Sequence, residues 1–373
     1  MRNILVVLGT RPEAIKLAPI ILALKNNRNY NVVVCNTEQQ KELSNQTLNF
    51  FGLSADINLD VMTHNQTLSQ LQTNLLNKLQ DLLQSQHFDA TIVQGDTMTV
   101  FCAALVSFYN KIPVFHVEAG LRSKSLFEPF PEEAIRQMVS RIVDLHFCPT
   151  LASKKALERE TLLSQRFFET GNTVIDALSC IDEAVLKDAY NTIHSYGIQL
   201  NRKVILVTAH RRENHGERLN KIIDSIVELS SSFNDIQFVI PVHPNPNVKN
   251  KVHERLRSMK NIYLLPPLPY PELVLLMKNS TLIMTDSGGI QEEAPTFGCP
   301  ILVLRYETER KEGVDAGFAK LVGADTKMIV ESAKEVIEHP SKYNHLKSKT
   351  NPYGDGFATQ RIIETIDEYF NTK

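Results

Sequence analysis

The sequence of 373 residues contains no tryptophan, few cysteines and no long hydrophobic run. The cysteines have no close pair, which disfavours both a disulfide framework and a metal-ligand motif. No apolar run approaches the ~18 residues of a membrane span, and the first apolar run is too short for the core of a signal peptide. We therefore expect a cytoplasmic protein without a membrane segment. The cysteines are Cys35, Cys102, Cys148, Cys180 and Cys299.

An excess of charge of one sign is also absent, because 40 Lys and Arg residues balance 42 Asp and Glu residues. This near-neutral balance argues against broad electrostatic binding of nucleic acid, so any phosphate group must be bound by local positive charge. His116, His210 and His243 lack the spacing of a helical metal pair. We expect no nucleic-acid partner, no metal and no cofactor.

The most informative stretch comprises residues 282–295. Its first apolar run shows no alternation, which predicts a strand buried on both faces of a parallel sheet. Gly288 and Gly289 follow, and a helix is predicted to begin at Ile290. Glycine lets a backbone approach a ligand closely or adopt a positive φ, and the amides at a helix start attract anions.

Two interpretations of this stretch remain open. In one, Ser287, Gly288 and Gly289 bind a diphosphate, while Glu292 or Glu293 accepts hydrogen bonds from sugar hydroxyls. In the other, it is an ordinary strand, turn and helix in which Ser287 caps the helix.

A similar corner lies near the N-terminus. A buried strand over residues 4–8 is followed by a glycine turn and by a helix with Pro12 at its start. Arg11 and Lys16 lie in this helix. They are either anion-binding residues, because open α/β sheets bind ligands at such corners, or solvated helix charges.

Acidic residues lie at three positions of the first half, two after predicted strands and one at the start of a predicted helix. Asp96 follows strand 90–94, Glu118 follows strand 112–117, and Glu132 opens a helix. Asp96 alone could be a helix cap, but three acids on one sheet edge indicate a reactive site. Arg136 lies four residues after Glu132, so the two could form a surface pair, or Arg136 could orient a site carboxylate.

Strands and helices alternate again after residue 203, following a predicted helix over residues 174–189. The predicted class is α/β, with two Rossmann-like doubly wound domains facing a cleft. We expect an N-terminal domain over residues 1–170 with the acid–base residues, a C-terminal domain over residues 171–352 that binds nucleotide, and a final helical segment over residues 353–373.

Seven motifs occur in the order typical of one family, and the sequence resembles the non-hydrolysing bacterial UDP-N-acetylglucosamine 2-epimerases over essentially its whole length. The resemblance implies a GT-B-like fold whose last helix crosses back to the first domain. It also implies a homodimer that interconverts UDP-N-acetylglucosamine and UDP-N-acetylmannosamine for surface polysaccharide synthesis. The motifs occupy residues 9–16, 95–97, 116–122, 131–133, 171–176, 210–214 and 286–295.

Matched motif by motif, the resemblance implies a role for each candidate residue. Proton transfer would involve Asp96, Glu118 and Glu132, and His210 would act at the departing UDP. The substrate-binding residues would be Arg11, Lys16, Arg136, Ser287, Gly288, Gly289, Glu293 and Arg310, with Glu293 at the ribose and Arg310 at the diphosphate.

The sequence departs from the family pattern at residues 39–41, 128–133, 267–273 and 309–313. The first departure concerns a stretch associated with activation by a second UDP-N-acetylglucosamine. The others are compatible with a relative acting on a modified UDP-aminosugar, such as a diacetamido-uronate. A GT-B glycosyltransferase would use the same diphosphate site with one base, and a UDP-sugar sensor would lack the acids.

Overall fold

The structure is a computed structural model that describes residues 1–160 and 166–372. Its contacts divide the chain into two compact units, the first formed by Met1–Cys180 and Tyr353–Lys373 and the second by Ile181–Pro352. Our predicted boundary at residue 171 precedes the helix over Thr173–Ser179, whereas this division follows it. That helix packs within the first unit against the helices over Arg11–Lys25 and Ala358–Asn371.

The described strands of the first unit form a parallel sheet in the order β3-β2-β1-β4-β5-β6-β7. Its strands are β1 (Arg2–Leu8), β2 (Tyr30–Asn36), β3 (Ile57–Asn58), β4 (Ala90–Gln94), β5 (Val114–Val117), β6 (Leu145–Cys148) and β7 (Phe167–Glu169). Its helices before the second unit are α1 (Arg11–Lys25), α2 (Lys41–Phe50), α3 (Leu68–Ser85), α4 (Met98–Tyr109), α5 (Glu132–Val139), α6 (Leu151–Glu158) and α7 (Thr173–Ser179).

The described strands of the second unit form another parallel sheet in the order β10-β9-β8-β11-β12-β13. Its strands are β8 (Val204–Thr208), β9 (Gln237–Pro241), β10 (Ile262–Leu265), β11 (Leu282–Thr285), β12 (Ile301–Val303) and β13 (Ala319–Leu321). Its helices are α8 (Glu183–Ser195), α9 (Glu217–Ser232), α10 (Pro246–Leu256), α11 (Tyr270–Asn279), α12 (Gly288–Glu293), α13 (Lys311–Asp315) and α14 (Thr326–Glu338). The last helix, α15 (Ala358–Asn371), belongs to the first unit.

Both sheets have the doubly wound order in which the direction of winding reverses beside the first strand of the unit. The reversal lies between β1 and β4 in the first sheet and between β8 and β11 in the second. Ligands of open α/β sheets bind at the carboxyl ends of the strands at such a reversal. The predicted class, two Rossmann-like α/β domains, is confirmed.

Apolar side chains fill a core on the faces of each sheet. In the first unit, Leu75 and Leu79 of α3 and Val93 of β4 are buried in one cluster, because apolar residues four apart lie on the same face of a helix. In the described part of the chain, no helix has the length and apolar character needed to cross a membrane.

The predicted single helix over residues 174–189 is wrong. Helix α7 ends at Ser179 and helix α8 begins at Glu183. The side chain of Asp182 accepts a hydrogen bond from the backbone N–H of Ala184 at 2.9 Å, so it caps a new helix. Propensity alone did not indicate this break.

Candidate active site

The reversal point of the first sheet contains the turn that follows β1. Oε2 of Glu13 accepts hydrogen bonds from the backbone N–H of Gly9 at 2.9 Å and of Thr10 at 2.7 Å. Glu13 is buried, and burial raises its pKa to about 7 against the opposing effect of the hydrogen bonds from Thr97 and Thr10. This residue fixes the start of α1, where Arg11 and Lys16 lie.

Lys16 and Glu118 form a buried ion pair at the edge of the first sheet. Nζ of Lys16 lies 2.5 Å from Oε2 of Glu118, and Nε2 of Gln94 donates to the same oxygen. Glu118 has a φ of 62°, a left-handed conformation that is uncommon for residues other than glycine and often occurs at functional sites. The structure thus brings together two of the predicted site residues.

Asp96 pairs with Arg136, which lies 40 positions further along the chain. Nε of Arg136 donates to Oδ2 of Asp96 at 2.7 Å, and Nη1 lies 3.2 Å from Oε2 of Glu133. Thr97 is the residue that caps α4, because its hydroxyl accepts from the backbone N–H of Val100. The alternative interpretation of Asp96 as the cap is therefore wrong.

Glu132 lies at the first position of α5 and is half-buried. Its Oε2 is buried and accepts no hydrogen bond from the described residues. The possible surface pair between Glu132 and Arg136 does not form, because Arg136 points to Asp96 and Glu133 instead. Glu132 therefore presents a carboxylate oxygen that is shielded from water, whereas Asp96 and Glu118 are paired with cations.

His116 and Arg11 complete the first set of polar groups. Burial lowers the pKa of His116 to about 4, although its hydrogen bond to the Gly95 carbonyl opposes this effect. His116 is therefore neutral at neutral pH. Its Nε2 lies 2.7 Å from the carbonyl oxygen of Gly95, the residue directly before Asp96. Arg11 is half-buried, and its backbone N–H donates to Oε1 of Gln40 at 3.1 Å.

In the second unit, the reversal point holds His210 against Asp286. Nδ1 of His210 lies 3.1 Å from Oδ1 of Asp286, and the backbone N–H of His210 donates to Oδ2 at 2.9 Å. Arg211 N–H and Nδ2 of Asn214 also donate to this carboxylate. Burial favours protonation of Asp286, but the His210 hydrogen bond and charge hold the pKa of Asp286 below its ordinary value.

This arrangement fixes the orientation of His210. With Nδ1 directed to Asp286, the other ring nitrogen, Nε2, is available to a ligand. The ring of His243 stacks on that of His210 with centroids 5.6 Å apart. Burial, followed by the charge of His210, lowers the pKa of His243, which favours a neutral ring against His210.

Gly288 permits a close approach between α12 and Arg310. A Cβ at Gly288 would lie 2.5 Å from Cζ of Arg310, so a larger residue would displace the guanidinium. Nε of Arg310 donates to Oε1 of Glu292 at 2.8 Å, and Nη1 also contacts Glu309. Neither Gly288 nor Gly289 has a positive φ, so close approach, rather than backbone freedom, explains the glycine at position 288.

Helix α12 begins at Gly288 rather than at Ile290 as predicted. Ser287 is its N-terminal flanking residue, but the Ser287 side chain makes no capping hydrogen bond, which contradicts the capping interpretation. Glu293 is buried, and its Oε2 accepts a hydrogen bond from the Tyr270 hydroxyl at 2.8 Å. The candidate ribose-binding carboxylate is therefore oriented by a neighbouring phenol.

Sequence reasoning assigned no role to Glu13, Glu133, Tyr270 or Asp286. Glu13 lies three residues after Thr10, which is the spacing of a capping box, and Asp286 directly follows the strand at the reversal point. These two signals were present in the sequence. Nothing local indicates that Tyr270 contacts Glu293 or that Glu133 contacts Arg136, because both contacts depend on packing.

The two residue sets have complementary chemistry. The first combines carboxylates with Lys16 and Arg136, which suits proton transfer beside an anionic ligand. The second combines an oriented histidine with Arg310 and the backbone of Gly288 and Gly289, which suits binding of a diphosphate.

Residues 22–367 match the family of UDP-N-acetylglucosamine 2-epimerases. The chain belongs to this epimerase family. One relative, the UDP-N-acetylglucosamine 2-epimerase of Neisseria meningitidis, is 46% identical over 368 residues, which cover 98% of this chain and 99% of the relative. The family resemblance inferred from the motifs is thereby confirmed.

Solved structures of similar proteins agree with this membership in the epimerase family. The crystal structure of UDP-GlcNAc 2-epimerase from Neisseria meningitidis bound to UDP-GlcNAc matches with a TM-score of 0.93 and 46% identity, covering 98% of this chain and 100% of the other. A Staphylococcus aureus MnaA structure with UDP matches with a TM-score of 0.91 and 40% identity, covering 100% of this chain and 97% of the other.

Proposed function

We propose that this chain is a non-hydrolysing UDP-N-acetylglucosamine 2-epimerase that interconverts UDP-N-acetylglucosamine and UDP-N-acetylmannosamine. The observation that most supports this function is the placement of three acids in the first unit, with Asp96 and Glu118 after strands β4 and β5 and Glu132 at the first position of α5. An epimerase needs acid–base groups for both faces of C2, whereas a transferase of the same fold needs one base and a sensor needs none.

The chemistry explains why a diphosphate site must accompany these acids. The C2 hydrogen of an N-acetylhexosamine is not adjacent to a carbonyl, so a carboxylate cannot remove it directly. Departure of UDP first gives C1 oxocarbenium character and makes that hydrogen acidic. Loss of the proton produces 2-acetamidoglucal, and return of a proton to the opposite face, followed by addition of UDP to C1, completes the epimerisation.

Each residue set has a part in this route. Asp96, Glu118 and Glu132 exchange protons with C2, and the Lys16–Glu118 and Arg136–Asp96 pairs hold two of these carboxylates in place. In the second unit, His210 stabilises charge on the departing UDP through Nε2, because its other ring nitrogen, Nδ1, contacts Asp286. The diphosphate-binding groups of this unit are Ser287, Gly288, Gly289 and Arg310, with Glu293 at the ribose, and Arg11 of the first unit is a substrate-binding residue.

The wider biological setting is part of the same proposal. The Neisseria meningitidis relative and its crystal structure are named for UDP-GlcNAc, which favours the unmodified sugar over a diacetamido-uronate. We propose that the enzyme acts in the cytoplasm as a homodimer and supplies UDP-N-acetylmannosamine for surface polysaccharide synthesis.

Epimerisation in D₂O tests the proposed function. Proton NMR of wild-type protein with UDP-N-acetylglucosamine should show the C2 epimer forming with deuterium at C2, and the substrate pool should become labelled as the reaction reverses. An isotope in the bridging oxygen should scramble into non-bridging phosphate positions, because the C1–O bond breaks. Released free sugar would indicate a hydrolase, and an absence of C2 exchange would contradict the elimination route.

Substitutions then assign the acids. We expect Asp96→Asn, Glu118→Gln and Glu132→Gln each to lower turnover about 100-fold or more, which is the usual contribution of a positioned acid–base group. Asp81→Asn is the matched control, since Asp81 is an exposed carboxylate on α3 of the same unit. Near-normal turnover in all three site variants would refute the assignment.

A further inference from the structure

Glu13 links two turns of the first unit through its two carboxylate oxygens. Oε2 accepts from the backbone N–H groups of Gly9 and Thr10 and, at 2.8 Å, from the Thr10 hydroxyl. Oε1 accepts from the Thr97 hydroxyl at 2.6 Å. One buried side chain thus joins the turn after β1 to the turn after β4.

These two turns lie where the winding of the first sheet reverses, because β1 and β4 are neighbours. Arg11 directly follows Thr10, and Asp96 directly precedes Thr97. Any change in the distance between the turns therefore changes the position of a proposed substrate-binding residue relative to a proposed proton-transfer residue.

The Thr97 hydroxyl has a second role that strengthens the link. It accepts a hydrogen bond from Val100 N–H at 3.3 Å while it donates its proton to Glu13. The same oxygen thus fixes the start of α4 and connects it to α1. The burial of Glu13, which raises its pKa to about 7, is a cost that an ordinary helix cap at the surface would not incur.

We propose that Glu13 is a positioning residue of the reaction, which holds the backbone at Arg11 and the backbone at Asp96 at the distance that catalysis needs. This role rests on the proposed epimerase function. Glu13 acts through these neighbours rather than on the substrate. Displacement of a reacting group by about 1 Å can cost about 100-fold in rate, so the loss of this link should lower kcat.

The test compares substitutions that break the link with substitutions that keep it. Glu13→Ala removes both halves of the link, whereas Glu13→Gln can still accept from Gly9 and Thr10 and can donate to the Thr97 hydroxyl. We expect Glu13→Ala to lower kcat by about 10- to 100-fold. Glu13→Gln should remain within about threefold of wild type, since it preserves the contacts.

Substitutions at Thr97 test the other end of the link. Thr97→Val should lower kcat about as much as Glu13→Ala, and Thr97→Ser should restore it. Thr67→Val is the matched control, because the Thr67 hydroxyl caps α3 by accepting from Gln70 N–H at 3.3 Å but is exposed and makes no contact with Glu13. Thr67→Val should lose about as much thermal stability as Thr97→Val but keep the turnover of the wild type.

The double variant Glu13→Ala with Thr97→Val separates positioning from general damage. Because both changes break the same link, the kcat of the double variant should be no lower than that of the less active single variant. If the two changes acted independently, their fold-losses in kcat would multiply. Wild-type turnover by Glu13→Ala, or multiplied losses, would overturn the positioning role alone. A wild-type protein without epimerase activity would instead refute the proposed function and this role with it.

Discussion

The buried carboxylate of Glu13 should give the first unit a characteristic pH dependence of stability. Its pKa in the folded protein is about 7, compared with an ordinary value of 4.5. Since a change of one in pKa corresponds to about 1.4 kcal/mol, the difference amounts to about 3 kcal/mol. The folded state binds this proton more tightly than the unfolded state does, so the contribution is present below pH 4.5 and disappears as the pH rises through about 7.

The substitution Glu13→Gln isolates this contribution, because all other groups titrate in both proteins. Between pH 5 and pH 8, wild type should lose about 2 to 3 kcal/mol of stability relative to the variant. At pH 8 the variant should be the more stable protein, since it buries no ionised group. Urea unfolding followed by far-UV circular dichroism is a suitable assay, because the chain has no tryptophan. Parallel pH profiles for the two proteins would refute the reasoning, because Glu13 would then titrate as an ordinary carboxylate.

Two further predictions concern the second unit. Gly288→Ala should lower stability by about 1 to 3 kcal/mol, because its Cβ would overlap Arg310, and calorimetric titration should show weaker UDP binding. Gly289→Ala should leave thermal stability unchanged, since its Cβ would meet no atom closer than 3.4 Å; equal melting temperatures for the two variants would contradict the overlap. Asp286→Asn should slow UDP release from substrate by about 100-fold or more, because the oriented His210 would lose its partner, and rapid-quench kinetics that match wild type would exclude this role.

The polar residues at the carboxyl ends of the strands could be predicted from the sequence. Strand β11 begins with the apolar run from Leu282 to Met284, and Asp286 directly follows the strand. Gly95 and Asp96 follow β4 in the same way. Parallel strands place their carboxyl ends on one edge of the sheet. Residues that directly follow the strands of one unit therefore had to lie along the same edge of that unit's sheet.

The pairing of side chains could not be predicted in the same way. Helical spacing allowed Arg136 either to pair with Glu132 or to orient a site carboxylate. Packing of α5 against α4 decides between them and directs Arg136 to Asp96 and Glu133. The left-handed φ of Glu118 and the contact between Tyr270 and Glu293 likewise have no local signal. Each depends on elements that meet only after the sheets have formed.

The first unit is built from two separated parts of the chain, and this has a consequence for its synthesis. Asp176 of α7 accepts hydrogen bonds from the first amides of α15, and Phe115 of β5 packs edge-on against Tyr369 with centroids 5.0 Å apart. A ribosome must first translate residues 181–352, which takes roughly 10 to 30 s at the usual rate of translation. During that interval the first sheet lacks its final helix, and the nascent protein exposes apolar side chains such as Phe115. Chaperones can bind these side chains, and they can also promote aggregation.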